Sequence, residues 1–324
     1  MALSSNASTT GLLYEAKFAP SWPSPLVVQL APGDPVSLAF DRPGVTEALR
    51  QQWRADYGLD RPIAEQYARW IGNTLRGDFG YSLSLRRPVA DVVAEMLPRT
   101  LLLVGLALAL SFALGIVVAV LQAERPGGAR DRWFGRVLLV LFSVPDFWLA
   151  LVMLIVFAYH LPIFPPSGIV DPVLHDYMSF GERIVDRLKH LVLPVATLTM
   201  LSTAAISRQQ RSALLEVMPS DWMRTAVAKG LSRRRAVRSH ALRNALLPSI
   251  TLAGLYLPAL VSGALLVEKV FSWPGMGLLA ANAIASRDHL LVTAAVLVTS
   301  VAVAVGALLA DLANAAADPR IRVR

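Results

Sequence analysis

No cysteine occurs in the 324 residues, which excludes disulfides, thiolate metal sites and cysteine nucleophiles and leaves the redox compartment unread. Lysine is scarce: Lys17, Lys189, Lys229 and Lys269 follow Ala, Leu, Ala and Glu. A phosphate-binding loop needs Gly-Lys-Ser/Thr, whose amides wrap the phosphates while the lysine matches their charge. None of these lysines can serve one, so any ATP that drives this protein is bound by another chain. His160, His175, His190, His240 and His289 are scattered without the spacing of a metal-ligating helix. No Ser/His/Asp set or carboxylate pair is assembled either, so no catalytic and no metal-binding residue is assigned. Acids are outnumbered, 23 against 31 Lys and Arg, for a net charge of +8. No aromatic-interleaved basic groove accompanies that excess, so it points to membrane topology and lipid headgroups rather than to nucleic acid.

What is abundant is apolar surface. Hydrophobic residues make up 55%, above the roughly 45–50% of a soluble domain. The excess falls in runs: Thr100–Leu121, about Arg136 to Tyr159, Leu191–Ile206, Leu246–Val267 and Leu290–Leu309. The first is uncharged and about as long as a hydrocarbon core requires. The third is short, but a helix can continue from it through Ser207 to Val217. Between the runs, Ala123–Gly135 carries Arg125, Arg130 and Arg132 and reads as cytoplasmic, whereas Leu161–Lys189 carries Asp171, Asp176, Glu182 and Asp186 and reads as external. Arginine-rich loops after the first and third runs, together with the Arg320, Arg322 and Arg324 tail, fall on one side if the chain alternates from Thr100 onward. That parity leaves a long N-terminal region outside and asks for a sixth, earlier span.

Asp146 is the one ionisable residue deep in a run, where an aspartate costs about 2.5–3.5 kcal/mol on insertion scales. It must face protein or water and is expected toward the bundle interior. Two readings stay open: a capped polar site at a kink, since Pro145 frees a carbonyl one turn back, or a pathway residue that favours cationic substrate groups.

The chain is organised around Ser220–Pro248, SDWMRTAVAKGLSRRRAVRSHALRNALLP, in which seven arginines and lysines face a single Asp221. A first short helix is predicted from a Ser220 or Asp221 cap, with Met223, Ala226 and Val227 on one apolar face and a left-handed stop at Gly230. A second starts at Ser232 with Arg233, Arg234 and Arg235 in its first turn, the wrong charge for a helix N-terminus. Attraction to anionic headgroups, about 1 kcal/mol per residue, or an ordinary positive-inside loop would each account for the charge alone.

The order of residues adds more. Arg224-Thr225-Ala226, Lys229-Gly230 and His240-Ala241-Leu242-Arg243-Asn244-Ala245-Leu246-Leu247-Pro248 resemble the cytoplasmic EAA loop of permease subunits in binding-protein-dependent ABC importers, more narrowly the dipeptide, oligopeptide and nickel branch. Arg224-Thr225-Ala226 stands where the wider family has Glu-Ala-Ala, as is usual in that branch. The resemblance extends to Leu26–Phe40 with its Ala-Pro-Gly-Asp-Pro-Val, to Gly77-Asp78-Phe79-Gly80, to Arg87-Pro88-Val89, to Val267–Gly277 with its Trp-Pro-Gly-x-Gly, and to the Asp318-Pro319-Arg320-Ile321-Arg322 ending.

The resemblance implies an all-α, polytopic inner-membrane protein with a type I ABC importer transmembrane domain of six spans, five visible here and the first degenerate or missing. The organisation expected is an atypical, poorly ordered segment over residues 1–25, a first-span remnant and external region over 26–96, the permease domain over 97–316 with a coupling loop at 208–245, and a cytoplasmic tail at 317–324. It further implies a heterodimer with a second permease, two ATP-binding subunits that hold ATP and Mg, an extracytoplasmic substrate-binding protein, surrounding lipid, and no cofactor on this chain. ATPase coupling is assigned to Asp221, Met223, Arg224, Thr225, Ala226, Val227, Lys229 and Gly230, with Asp146 as a candidate pathway residue. A secondary, ion-coupled transporter should show repeated broken helices with midplane ionisable groups, of which only Asp146 qualifies. A membrane-anchored enzyme should show a catalytic constellation, which is lacking.

Overall fold

The computed structural model describes residues 62–82, 84–246, 249, 253, 254, 256, 264–286 and 288–317. The 1–25 segment, the first-span remnant at 26–40, most of Leu246–Val267 and the tail after Ala317 lie outside the described residues. The described elements are helical apart from one hairpin: α1 (Ile63–Leu75), β1 (Tyr81–Ser82), β2 (Arg87–Pro88), α2 (Val89–Ala123), α3 (Ala129–Ser143), α4 (Asp146–Leu154, continued by a π turn Ile155–His160), α5 (Phe180–Val217), α6 (Asp221–Ala228), α7 (Arg233–Ala236) running through a π turn Val237–Ala241 into α8 (Leu242–Ala245), α9 (Leu265–Val270), α10 (Met276–Ala285) and α11 (His289–Ala317). Among them α2, α5 and the Leu290–Leu309 part of α11 are long and apolar enough to cross a membrane.

Two helices begin well before their apolar runs. The run at Thr100 belongs to α2, which starts at Val89, so the last part of the expected external region is helical. Asp91 lies in its first turn, a favourable charge for that end. The run at Leu191 belongs to α5, which starts at Phe180 inside the expected Leu161–Lys189 loop. Its start is set by Ser179, whose N–H and hydroxyl both donate to the Glu182 carboxylate at 2.8 and 2.7 Å. Pairing at this end satisfies groups that a helix leaves open.

The third departure is a break. The run expected from about Arg136 to Tyr159 is not one kinked helix but the pair α3 and α4, bent by 101°. Val144 and Pro145 are both extended between them. Pro145 has no N–H to give to the preceding turn and pushes Val144 out of the helical region.

The chain divides into two compact units. One comprises the described residues up to Met96 together with Leu279–Val298. Its β1–β2 hairpin is antiparallel, with Tyr81 opposite Pro88 and Ser82 opposite Arg87. Asp288 caps α11 by accepting Leu291 N–H at 3.2 Å, and its other oxygen takes the hydroxyls of Ser82 at 2.6 Å and Ser84 at 2.8 Å. A buried carboxylate needs such donors, and these bind the hairpin to the start of the last long helix.

The other unit comprises Leu97–Leu278 and the residues from Thr299 on. Its helices enclose three apolar clusters: Leu103, Val104, Leu191 and Trp273; Ala150, Leu193, Val267 and Phe271; and Ala119, Val120, Leu214, Met223 and Val237. The first two tie Trp273 and Phe271, beside α9, to the early part of α5. The third gathers the late ends of α2 and α5 under the basic loop.

Candidate functional site

The Ser220–Leu246 stretch folds as the two predicted helices. Ser220 holds the N-cap backbone position of α6, but its hydroxyl donates backward to Val217 O at 2.7 Å, closing α5 rather than opening α6. At the other end Gly230 is left-handed, with φ +89°. Its N–H reaches Val227 O at 2.9 Å while Leu231 N–H reaches Ala226 O at 3.3 Å, the paired bonds of a Schellman ending. α6 is therefore short, with a defined exit.

Its apolar face does not lie where the residue pattern suggested. Met223 and Ala226 are buried within this chain, Met223 in the apolar cluster that holds the ends of α2 and α5. The expectation that Met223, Ala226 and Val227 together offer a face to a partner is thus corrected: the first two are covered by their own chain, three residues apart on one side of the helix. Exposed instead are Asp221, Arg224, Thr225, Lys229 and Val227, with Trp222 among them at 42%. Trp222 escaped the sequence reading, although tryptophan is enriched among the residues that dominate interfaces.

α7 begins as predicted, with Ser232 Oγ accepting from Arg235 N–H at 3.4 Å. Its positive first turn has a use: Glu124, at the end of α2, accepts from Arg234 Nε at 3.3 Å and Arg238 Nε at 2.7 Å. Nearby, a second polar set joins α2, α3 and α5. Arg211 donates through Nε and Nη2 to the two oxygens of Asp131 at 2.9 and 2.8 Å. Gln122 Nε2 adds a bond to Asp131 Oδ1 at 3.1 Å, and Gln210 Nε2 reaches Ala245 O at 3.0 Å. Ser249 Oγ also contacts Gln210 Oε1.

Asp146 is not deep in a helix. It occupies the first turn of α4, just past the Val144–Pro145 break, where the helix end favours an acid. Expected to face the bundle interior, it is exposed in this chain by itself. The break supplies the reason, since it places residue 146 at a helix start.

At the opposite end of the unit Glu268 is fully buried. It accepts from Leu278 N–H at 2.7 Å, from Thr100 Oγ1 at 3.3 Å and from Ala264 N–H at 3.4 Å. Gly168 N–H donates to Phe271 O at 2.9 Å, so the loops around residues 168 and 271 meet. Nearby, Asp186 in the early part of α5 joins His175 of the preceding segment at 2.6 Å and His190, one turn on in α5, at 3.2 Å, a cluster the scattered histidines did not announce. Asp171 lies alongside, its carboxyl held below the usual carboxylate range by the amides of Leu174 and Val173. Among the described residues no group of three such side chains is arranged to hold a metal ion.

Comparison with known proteins adds to this geometry. Residues 111–323 match the family described as binding-protein-dependent transport system inner membrane component. The oligopeptide transport system permease protein AppB of Bacillus subtilis (strain 168) is 37% identical over 297 residues, 91% of this chain and 92% of that protein. The dipeptide transport system permease protein DppB of Escherichia coli (strain K12) is 35% identical over 310 residues, 91% of each chain. The di/tripeptide transport system permease protein DppB of Pseudomonas aeruginosa (strain UCBPP-PA14) is 34% identical over 332 residues, 99% of each.

Proposed function

The chain belongs to the family of binding-protein-dependent transport inner membrane components, and from that premise we propose that it is a pathway-forming permease subunit of an ATP-driven peptide importer. It is a multi-pass inner-membrane protein whose relatives are transport components. The peptide substrate rests on the names of those relatives, all peptide permeases. In this reading the chain performs no covalent chemistry and holds no cofactor. It pairs with a second permease, ATP and Mg sit on two ATP-binding subunits at the cytoplasmic face, and an extracytoplasmic binding protein delivers the peptide. The C-terminus is cytoplasmic, and Asp146, exposed beside the helix break, faces the pathway or the second permease.

The observation that carries the proposal is α6: a short helix with a firm Schellman exit, seated through Met223 on the ends of two long helices. Closure of the ATPase pair displaces such an element as a body, and the displacement biases the spans between two states. Coupling residues are then Asp221, Arg224, Thr225, Val227 and Lys229 at the contact, with Met223, Ala226 and Gly230 holding the helix in place. The test is reconstitution in liposomes with a second permease, the two ATP-binding subunits and a substrate-binding protein. ATP-dependent uptake of a labelled di- or oligopeptide that stops when this chain is omitted supports the proposal. Uptake driven by a proton or sodium gradient without ATP overturns it.

A further inference from the structure

Asp131 collects donors from three separate places. Besides the two bonds from Arg211 on α5, it takes Gln122 from α2 and the Gly127 N–H at 2.8 Å from the turn before α3. Its side chain is only 7% exposed and that of Arg211 32%. Exposed ion pairs contribute little, but a two-pronged guanidinium–carboxylate bond with this cover fixes orientation as well as distance. Gln122 in turn accepts from Ser207 of α5 at 3.4 Å, and Arg208 stacks over Phe142, near the end of α3, at 4.5 Å. α3 is thereby fastened to the late part of α5, within a few residues of the Ala213 and Leu214 contacts that also carry Met223 of α6.

α4 is fastened elsewhere. Ala150 packs on Leu193 with Val267 and Phe271, toward the early part of α5. Between the two attachments lie the extended Val144–Pro145 break and, within α5, Pro194, which cannot donate to the turn before it. Two extended residues between rigid helices are the kind of place that absorbs a rotation.

We infer that Asp131 and Arg211 are positioning residues of the transport cycle: their bond makes α3 move as one body with the late part of α5 when α6 is displaced, so that the motion is delivered to the Val144–Pro145 break. The inference rests on the coupling role of α6 given above. It assigns no contact with peptide or ATP to either residue.

The absence of native cysteine makes the test direct. Spin labels are placed in the full transporter at Arg136→Cys with Ser212→Cys, spanning α3 and α5, and at Arg136→Cys with Tyr159→Cys, spanning the break. Trapping the ATP-bound state is expected to leave the first distance unchanged and to shift the second. A first distance that changes as much as the second overturns the inference. In parallel, Asp131→Asn is expected to retain wild-type amounts of the ATPase subunits while peptide uptake falls about 10-fold or more, in the range typical of lost coupling between sites. Substrate-loaded binding protein should then no longer stimulate ATP hydrolysis. Normal uptake and stimulation in Asp131→Asn overturn the inference even if α6 couples. If Asp131→Asn does not accumulate, the label distances in the otherwise native chain decide. Failure of the coupling reading itself registers separately, as full ATPase retention and transport in variants of α6.

Discussion

Gly275 lies directly against the carboxylate of Glu268. A β-carbon at position 275 would run into that carboxylate and come within 2.6 Å of Thr100 Oγ1. The closeness lets the turn after Trp273 fold back over α9. Thr100 Oγ1 then accepts Met276 N–H at 2.7 Å while Glu268 takes Leu278 N–H. A buried carboxylate without those donors would cost several kcal/mol, so the Trp-Pro-Gly-x-Gly sequence and the glutamate before it are one construction.

Gly275→Ala is therefore expected to destabilise the protein by about 1–3 kcal/mol, the usual cost of overpacking a filled site. The check is thermal unfolding of the purified transporter beside Gly72→Ala, whose added carbon meets nothing within 4 Å. Equal melting of the two variants would show that the turn yields freely.

Two contacts group the loops by end without counting arginines. Arg238 bonds Glu124, which puts the loops around Gly127 and Ser232 at one end of their unit, and Gly168 bonds Phe271, which joins the loops around Ser167 and Ser272. With the arginine excess assigning the first end to the cytoplasm, single cysteines at Gly127 and Ser232 should resist an impermeant thiol reagent in intact cells. Those at Ser167 and Ser272 should react. Labelling at Ser232 together with protection at Ser272 would reverse the orientation.

The residues that announced themselves in the sequence were those whose chemistry is local. Gly230 is legible because a helix end needs a left-handed residue there, and the arginine loops because charge bias acts on each loop by itself. The Ser179 and Glu182 pair was equally local, three residues apart at the start of α5, yet the prolines upstream and the polar surroundings drew that segment as loop. Helix ends beyond the lipid carry no apolar run, which is why α2 and α5 begin earlier than hydropathy suggests. What sequence could not settle was which side of α6 meets its own chain. Met223, Ala226 and Val227 are all apolar, and only packing decides that two face inward. The Asp131–Arg211 bond was illegible for a similar reason, since its partners sit in different helices 80 residues apart.

The inward turn of α6 separates two kinds of substitution. Ala226 is buried, so Ala226→Trp should unseat the helix from its own bundle and lower both ATPase retention and uptake. Trp222→Ala removes an exposed aromatic and should leave membrane accumulation unchanged. If Trp222 anchors the ATPase contact, its loss costs about 2 kcal/mol or more, about 30-fold in affinity. Co-purification of ATPase subunits measures this, and undiminished retention in Trp222→Ala would place the contact elsewhere on α6.

Gly230 separates backbone geometry from surface contact. Nothing lies within 4 Å of a β-carbon added there, but its φ is +89°, so any effect of substitution arises from the backbone and not from a clash. A β-branched residue tolerates that conformation worst, whereas asparagine visits the left-handed region with far less strain. Gly230→Val should loosen the two bonds that end α6, leave the protein inserted, and abolish uptake with weaker retention of the ATPase subunits. Gly230→Asn should keep most of both. That order distinguishes a rigid coupling element from a basic turn lying on lipid, because a headgroup-binding turn depends on Arg233, Arg234 and Arg235 and is indifferent to how α6 ends. Normal transport and a full ATPase complement in Gly230→Val would remove the reason for placing the coupling contact here.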